Sequence, residues 1–167
     1  QIARENNEDP YEMALDIIKN SENNVMMIVF TMDEEDISRV LQDPNSMVCT
    51  DGFPGLGPYH PRYTAAFTRV LEKYVKGENL LSLQQAIYKM TGMPAEKLGL
   101  RDRGRIAEGM KADVLVLDMA RIHDNADYQN YNACSDGIDY VLINGHIAVD
   151  DGQFHPICVG RVLRRRD

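Results

Sequence analysis

No run of apolar residues in this 167-residue chain approaches the roughly 18 that a membrane-spanning helix needs. The longest, Val25 to Met32, is interrupted by Thr31 and stops against Asp33, so no membrane insertion is expected. Cysteine is scarce too. Cys49, Cys134 and Cys158 are odd in number, far apart and free of any CxxC spacing, which fits reduced thiols in a cytoplasmic protein better than a disulfide framework or a zinc finger. The four histidines, His60, His123, His146 and His155, show neither HxH nor HExxH spacing, so no complete zinc site is readable from this chain. Basic residues are the minority, 18 against 26 acidic, and the resulting charge of −8 argues against nucleic acid or anionic lipid as a partner. The one basic cluster, Arg161 with Arg164 to Arg166, has no interleaved aromatics and reads as a solvated tail or strand end.

An initiator methionine is also lacking. The chain opens Gln1-Ile2-Ala3-Arg4, with neither the cationic start nor the apolar core of a signal peptide, and is expected to be entered in the middle of a longer protein. What is present is ordinary for a folded domain. A hydrophobic fraction of 44%, a charged fraction of 26%, 12 Gly and 7 Pro exclude collagen-like, low-complexity and wholly disordered chains. At roughly 150 residues per domain, the length by itself suggests one compact unit.

The pattern along the chain divides near residue 100. Asp9-Pro10 has the N-cap and first-position residues of a helix that ends near Asn20. Val25 to Phe30 suits a strand buried on both faces, Thr31 with Glu34 has capping-box spacing for a helix bearing Ile37, Val40 and Leu41, and Ser46 to Thr50 reads as a second short strand. A Gly/Pro-rich loop, residues 52–61, precedes the longest helix, on which Tyr63, Ala66, Phe67, Val70, Leu71 and Tyr74 recur at steps of three and four. Ser82 and Gln85 cap another helix, and Pro94 to Leu98 adds a turn. Beyond Gly104 the segments become β-rich: Arg105-Ile106, Val114 to Leu117, Tyr140 to Ile143, a hairpin at Asn144-Gly145 leading into His146 to Val149, and a last strand at Arg161 to Arg164. Asp113 and Asp118 are placed to tie down turns through backbone N–H groups.

Few residues carry chemistry. Asp51 follows directly on a predicted buried strand, and in α/β barrels that carboxyl edge is where catalytic groups collect. A carboxylate there serves as a general base or a metal ligand, although Asp-Gly is also a common turn dipeptide. In His60-Pro61-Arg62, the Arg fork suits a carboxylate ligand and His60 exchanges protons near neutral pH; the plainer reading makes them loop-shaping and solvated residues.

The run Gly99 to Asp113, continuing as Ala112-Asp113-Val114-Leu115-Val116-Leu117-Asp118, resembles the C-terminal stretch of amidohydrolase-superfamily enzymes. Thr50-Asp51-Gly52, His60-Pro61-Arg62 leading into Phe67-Thr68-Arg69-Val70-Leu71, Gly137 to Gly145, and Gly160-Arg161-Val162-Leu163-Arg164 narrow the resemblance to the D-aminoacylase, or N-acyl-D-amino-acid deacylase, group. It covers nearly the whole chain, in order. The resemblance implies an α/β chain forming the C-terminal portion of a (β/α)8 metallo-dependent hydrolase barrel, residues 1–100, followed by the C-terminal strands of a small β-sandwich, residues 101–167. A whole barrel needs about 250 residues, so the resemblance also implies a missing N-terminal portion of the same chain.

The implied activity is zinc-dependent hydrolysis of the amide bond of N-acyl-D-amino acids, a small-molecule substrate. Asp51 resembles the aspartate that takes a proton from zinc-bound water and passes it to the departing amine. Arg62 resembles the arginine that holds the substrate's α-carboxylate, and His60 belongs to the same motif in a loop or substrate-lining role. Asp51 is the one prospective metal-binding residue here; the group's main ligands, an HxH pair, a bridging cysteine and later histidines, lie on earlier strands. The isolated chain is therefore expected to be inactive and to bind no stoichiometric zinc. Two other readings remain open: a non-catalytic or degenerate module on the same scaffold, and a cyclic-amide amidohydrolase of the dihydropyrimidinase or dihydroorotase kind, which shares the Gly104 to Asp118 segment.

Overall fold

The computed structural model describes residues 1–22, 24–25, 27, 29–52 and 59–164. They belong to two compact units, Gln1–Met32 and Asp33–Asp167. In the first, α1 (Ile2–Asn6) is closed by Asn7 in the left-handed conformation, and α2 (Pro10–Asn20) starts where expected. The Asp9 carboxylate accepts hydrogen bonds from the backbone N–H groups of Tyr11 and Glu12 at 2.9 and 3.3 Å, and Pro10, which has no N–H to satisfy, takes the first helical position. The apolar run beyond α2 departs from expectation. Val25, Met27, Val29 and Phe30 join no ladder and are exposed, while Met26 and Ile28 lie outside the described residues. A strand buried on both faces requires neighbouring strands at its edges and covering helices, and no β-ladder forms on this run among the described residues.

The second unit opens with α3 (Glu34–Gln42). Its cap is Asp33 rather than Thr31: the Asp33 carboxylate accepts from the Asp36 N–H at 3.0 Å, three residues on, as the helix geometry requires. Ser46 to Thr50 forms no β-ladder among the described residues. It is tied instead to α5 (Leu83–Met90), where the Lys89 carbonyl accepts the Val48 N–H at 3.2 Å and the Lys89 ammonium donates to the carbonyls of Asp43 and Ser46 and to the Ser46 hydroxyl.

The longest helix begins as α4 (Arg62–Arg69) and continues without interruption as a π-helical segment, Val70–Gly77. Its inward residues, Val70, Leu71 and Tyr74, meet Leu81, Ala86 and Ile122 in the core, and Ile37, Leu41 and Val48 pack against that cluster. Ser82 and Gln85 form the expected reciprocal capping box of α5, and α6 (Gly92–Leu98) ends at Gly99 in the left-handed region.

Four antiparallel strands follow in the order β1 (Val114–Leu117), β2 (Ile138–Ile143), β3 (His146–Asp150) and β4 (Gln153–Phe154). Asn144 and Gly145, with φ of 49° and 82°, make the two-residue turn that matches strand twist. The Asp113 carboxylate accepts the Asn144 N–H at 2.7 Å, and that of Asp118 accepts the Ala120 N–H at 2.9 Å, so both aspartates hold turns as expected. Two expected strands are absent. Arg105-Ile106 is a loop with Ile106 exposed, closed by the Lys111 N–H on the Asp102 carbonyl, and 161–164 is irregular. The last ladder is supplied instead by Gln153–Phe154, where Asp151-Gly152 permits a tight reversal.

The helical and β segments of this unit are joined by specific bonds. Thr68 Oγ1 meets Ser135 Oγ at 2.7 Å, the Lys76 ammonium donates to the Ala120 carbonyl at 2.8 Å, and Glu72 accepts the Asp124 N–H at 2.8 Å. Gly137 is confined between them: at φ 79°, a Cβ there would lie 2.6 Å from the Ile122 nitrogen. Only glycine allows the chain to cross Ile122 so closely.

Candidate functional site

The fold brings Asp51 and Arg62 together. They are eleven residues apart in sequence and lie on either side of a loop whose residues 53–58 are outside the described set. Arg62 is the first residue of α4, and its guanidinium spans Asp51: Nη2 lies 2.7 Å from the carboxylate Oδ2, and Nε donates to the Asp51 carbonyl at 3.1 Å. Asp51 has φ 43°, a left-handed conformation that Asp tolerates better than most side chains. Gly52, next in the chain, lets the turn approach α4, since a Cβ there would come within 2.4 Å of the Tyr63 ring. The two side chains are 76% and 46% exposed, and an ion pair so hydrated contributes about 0–1 kcal/mol to stability. The guanidinium is thus available to an incoming carboxylate at little cost.

His60 organises the start of α4. Pro61 occupies the cap position and offers no side-chain bond, and the His60 ring instead accepts the Arg62 N–H on Nδ1 at 3.1 Å. A backbone N–H only donates, so Nδ1 is unprotonated and the neutral ring carries its hydrogen on Nε2. That nitrogen then donates to the Tyr128 hydroxyl at 3.1 Å, the two rings meeting edge to face at 5.3 Å. Desolvation, and then the positive charge of Arg62, hold the His60 pKa below the ordinary histidine value and favour this neutral form. Beside it, Tyr59 packs on Tyr63 and Tyr131, with ring centroids 5.6 and 5.3 Å away, and its buried hydroxyl has no partner among the described residues.

All three site residues singled out from the sequence therefore lie in one neighbourhood. Tyr128 and Tyr131 were not anticipated: they come from a loop 68 residues after His60 and belong to no motif. Among the described residues no group of three or more His, Cys, Asp or Glu side chains converges as a metal centre. The exposed Asp51 carboxylate is a hard oxygen donor suited to one position on zinc, and the remaining positions require donors from outside this group. The three cysteines are free and exposed, and among the described residues no helix is long and apolar enough to cross a membrane.

Residues 43–149 match the model of the amidohydrolase family. The chain is 42% identical over 140 residues to an N-acyl-D-glutamate deacylase of Alcaligenes xylosoxydans xylosoxydans, an alignment covering 83% of this chain and 28% of that protein. Among solved structures, a D-aminoacylase described as defining a subset of amidohydrolases superposes with a TM-score of 0.79 at 38% identity, over 81% of this chain and 29% of its own. An N-acyl-D-glutamate deacylase from Bordetella bronchiseptica, solved with zinc and a phosphonate mimic of the tetrahedral intermediate, superposes with a TM-score of 0.73 at 39% identity, over 81% of this chain and 28% of its own. The chain thus spans somewhat more than a quarter of the length of these relatives, and its α/β architecture is the corresponding part of the barrel-and-strand fold they share with it.

Proposed function

The chain belongs to the amidohydrolase family, and on that premise we propose that it forms the C-terminal part of a zinc-dependent enzyme hydrolysing the amide bond of N-acyl-D-amino acids. Residues 1–100 contribute to the barrel and 101–167 to the sandwich. The observation that carries this reading is the meeting of Asp51 with Arg62 at the start of α4, a proton acceptor and a carboxylate receptor in direct contact and both open to solvent.

Amide hydrolysis needs a base to take a proton from the attacking water and an acid to protonate the departing amine. The Asp51 carboxylate performs both transfers in turn. Arg62 exchanges its contact with Asp51 for the substrate's α-carboxylate, gripping it with parallel N–H donors and so orienting the scissile carbonyl. His60, neutral and fixed by the Arg62 N–H and Tyr128, sets the direction in which the guanidinium leaves the helix. When bound by donors beyond this chain together with Asp51, zinc supplies a polarised carbonyl and a water of lowered pKa.

The test is Asp51→Asn in the full-length enzyme, assayed as amine release from N-acetyl-D-glutamate, N-acetyl-D-aspartate and N-acetyl-D-leucine. Turnover is expected to fall by about 10²- to 10⁴-fold on every substrate accepted, the range attributed to general acid–base groups. Turnover near wild type on the preferred substrate removes the role of Asp51. The isolated 167 residues are expected to release no amine and to retain no stoichiometric zinc after dialysis, read by atomic absorption.

A further inference from the structure

We propose that Tyr128 is a positioning residue for Arg62, acting through His60, an inference that rests on the carboxylate-holding reading of Arg62. The lead-in to α4 and the helix with its π continuation place His60, Thr64, Thr68, Glu72 and Lys76 four residues apart, a spacing that keeps side chains on one side of a helix. All five bond to the segment 120–135. The outgoing limb of that segment offers the Ala120 carbonyl to the Lys76 ammonium and the Asp124 N–H to the Glu72 carboxylate, each at 2.8 Å. On the returning limb the Tyr131 carbonyl accepts from the Thr64 hydroxyl at 2.8 Å, and the Ser135 hydroxyl lies 2.7 Å from that of Thr68. Tyr128 sits at the tip between the two limbs, against the His60 ring at the helix start.

The loop is also braced within itself. His123 and Asp136 exchange backbone hydrogen bonds across its base, at 3.4 and 3.0 Å, and the Asn125 side-chain amide donates to the Cys134 carbonyl at 3.0 Å. At the tip the Asp127 carboxylate accepts the N–H groups of Gln129 and Asn130 at 2.8 and 2.6 Å, a turn that fixes the backbone carrying Tyr128. A hydroxyl held so firmly selects one state of the imidazole. With its Nε2–H on Tyr128, His60 keeps Nδ1 unprotonated and turned to the Arg62 N–H, a donor that the first turn of α4 leaves without an intrahelical partner. Without the hydroxyl, ring rotation or tautomer exchange puts a hydrogen where that acceptor stood, and the first residue of the helix loses its tie. The guanidinium projects from that residue, so a shifted helix start turns the fork off the plane it must share with a carboxylate.

The experiment is a double-mutant cycle in the full-length enzyme, with Tyr128→Phe, His60→Asn and the pair, measuring kcat and KM separately on the preferred N-acetyl-D-amino acid. Phenylalanine keeps the ring and removes the hydroxyl, while asparagine keeps an oxygen that accepts the N–H two residues on and gives up the reach to Tyr128. Tyr128→Phe is expected to raise KM about three- to fivefold, the scale of one hydrogen bond, and to leave kcat within about twofold. In the His60→Asn background the same substitution is expected to leave KM unchanged. An unchanged KM in Tyr128→Phe, a loss confined to kcat, or an equal rise in KM beside His60→Asn overturns the proposal. Where His60→Asn is recovered unfolded, Arg62→Lys takes its place in the cycle: with the fork gone, Tyr128→Phe is expected to add nothing to KM, a further rise overturning the proposal. A wild-type KM in Arg62→Lys alone identifies failure of the carboxylate-holding reading, whereas a raised KM there beside an unchanged KM in Tyr128→Phe identifies failure of this one.

Discussion

The turn at Leu71 and the turn at Asp51 belong to the same compact unit and are built on opposite terms. Leu71 is 2% exposed within the cluster of Val70, Tyr74, Leu81, Ala86 and Ile122, where every neighbour is apolar or, like Tyr74, has its polar atom bonded. Asp51 has most of its carboxylate in water, a left-handed backbone and one ionic partner. The first region stabilises the fold and has nothing to react with. The second contributes little to stability and leaves its charged groups free to change partners. Helix α4 with its π continuation connects them, presenting Arg62 at one end and Leu71 and Tyr74 at the other.

That contrast predicts how variants of the full-length enzyme separate. Asp51→Asn, the largest effect expected, removes about 10²- to 10⁴-fold of turnover and leaves the thermal midpoint unchanged, because an exposed pair is worth about 0–1 kcal/mol. Leu71→Ala does the reverse. It is expected to cost about 2–5 kcal/mol in urea unfolding while each folded molecule keeps its turnover. Arg62→Lys keeps the charge but loses the planar fork, and KM for N-acyl-D-amino acids is expected to rise roughly tenfold with a smaller change in kcat. A rise in kcat with KM unchanged would contradict a carboxylate-holding role.

The smallest effect concerns His123. Its ring lies 2.6 Å from Glu72, and that hydrogen bond, then the carboxylate charge, raise the histidine above its ordinary pKa. A raised folded-state value stabilises the fold below the unfolded pKa of about 6.5, and the contribution disappears as pH rises through the folded value. The difference in thermal midpoint between wild type and His123→Gln is therefore expected to be greatest near pH 5.5 and to shrink toward alkaline pH. A difference that grows with pH would contradict the Glu72 pairing.

Much of this molecule was legible from short-range chemistry. Asp9-Pro10, Ser82 with Gln85, Asn144-Gly145, Asp113 and Asp118 each satisfy backbone groups within a few residues or across a hairpin, and their patterns survive in the sequence. Asp51 and Arg62 were recognised through the resemblance to a family, since either residue alone is ordinary at a turn or a helix start. What stayed hidden depends on distant partners. Nothing near Lys89 announces that its ammonium closes a turn 43 residues earlier, and nothing near Tyr128 announces His60. The apolar runs at 25–30 and 46–50 have the composition of strands, and no ladder forms on either among the described residues, because a ladder depends on distant partners that composition does not name.

The π-helical segment at Val70–Gly77 stores spare chain. Such wider turns hold one residue more than an α-helix needs to cover the same ground. A single-residue deletion inside it can therefore be taken up by tightening to α geometry, leaving the helix start at Arg62 and the far contacts of Lys76 where they were. The helix carries its own tolerance for length change between the end that bears Arg62 and the end that meets the core, so the two can diverge in sequence without dragging each other out of register.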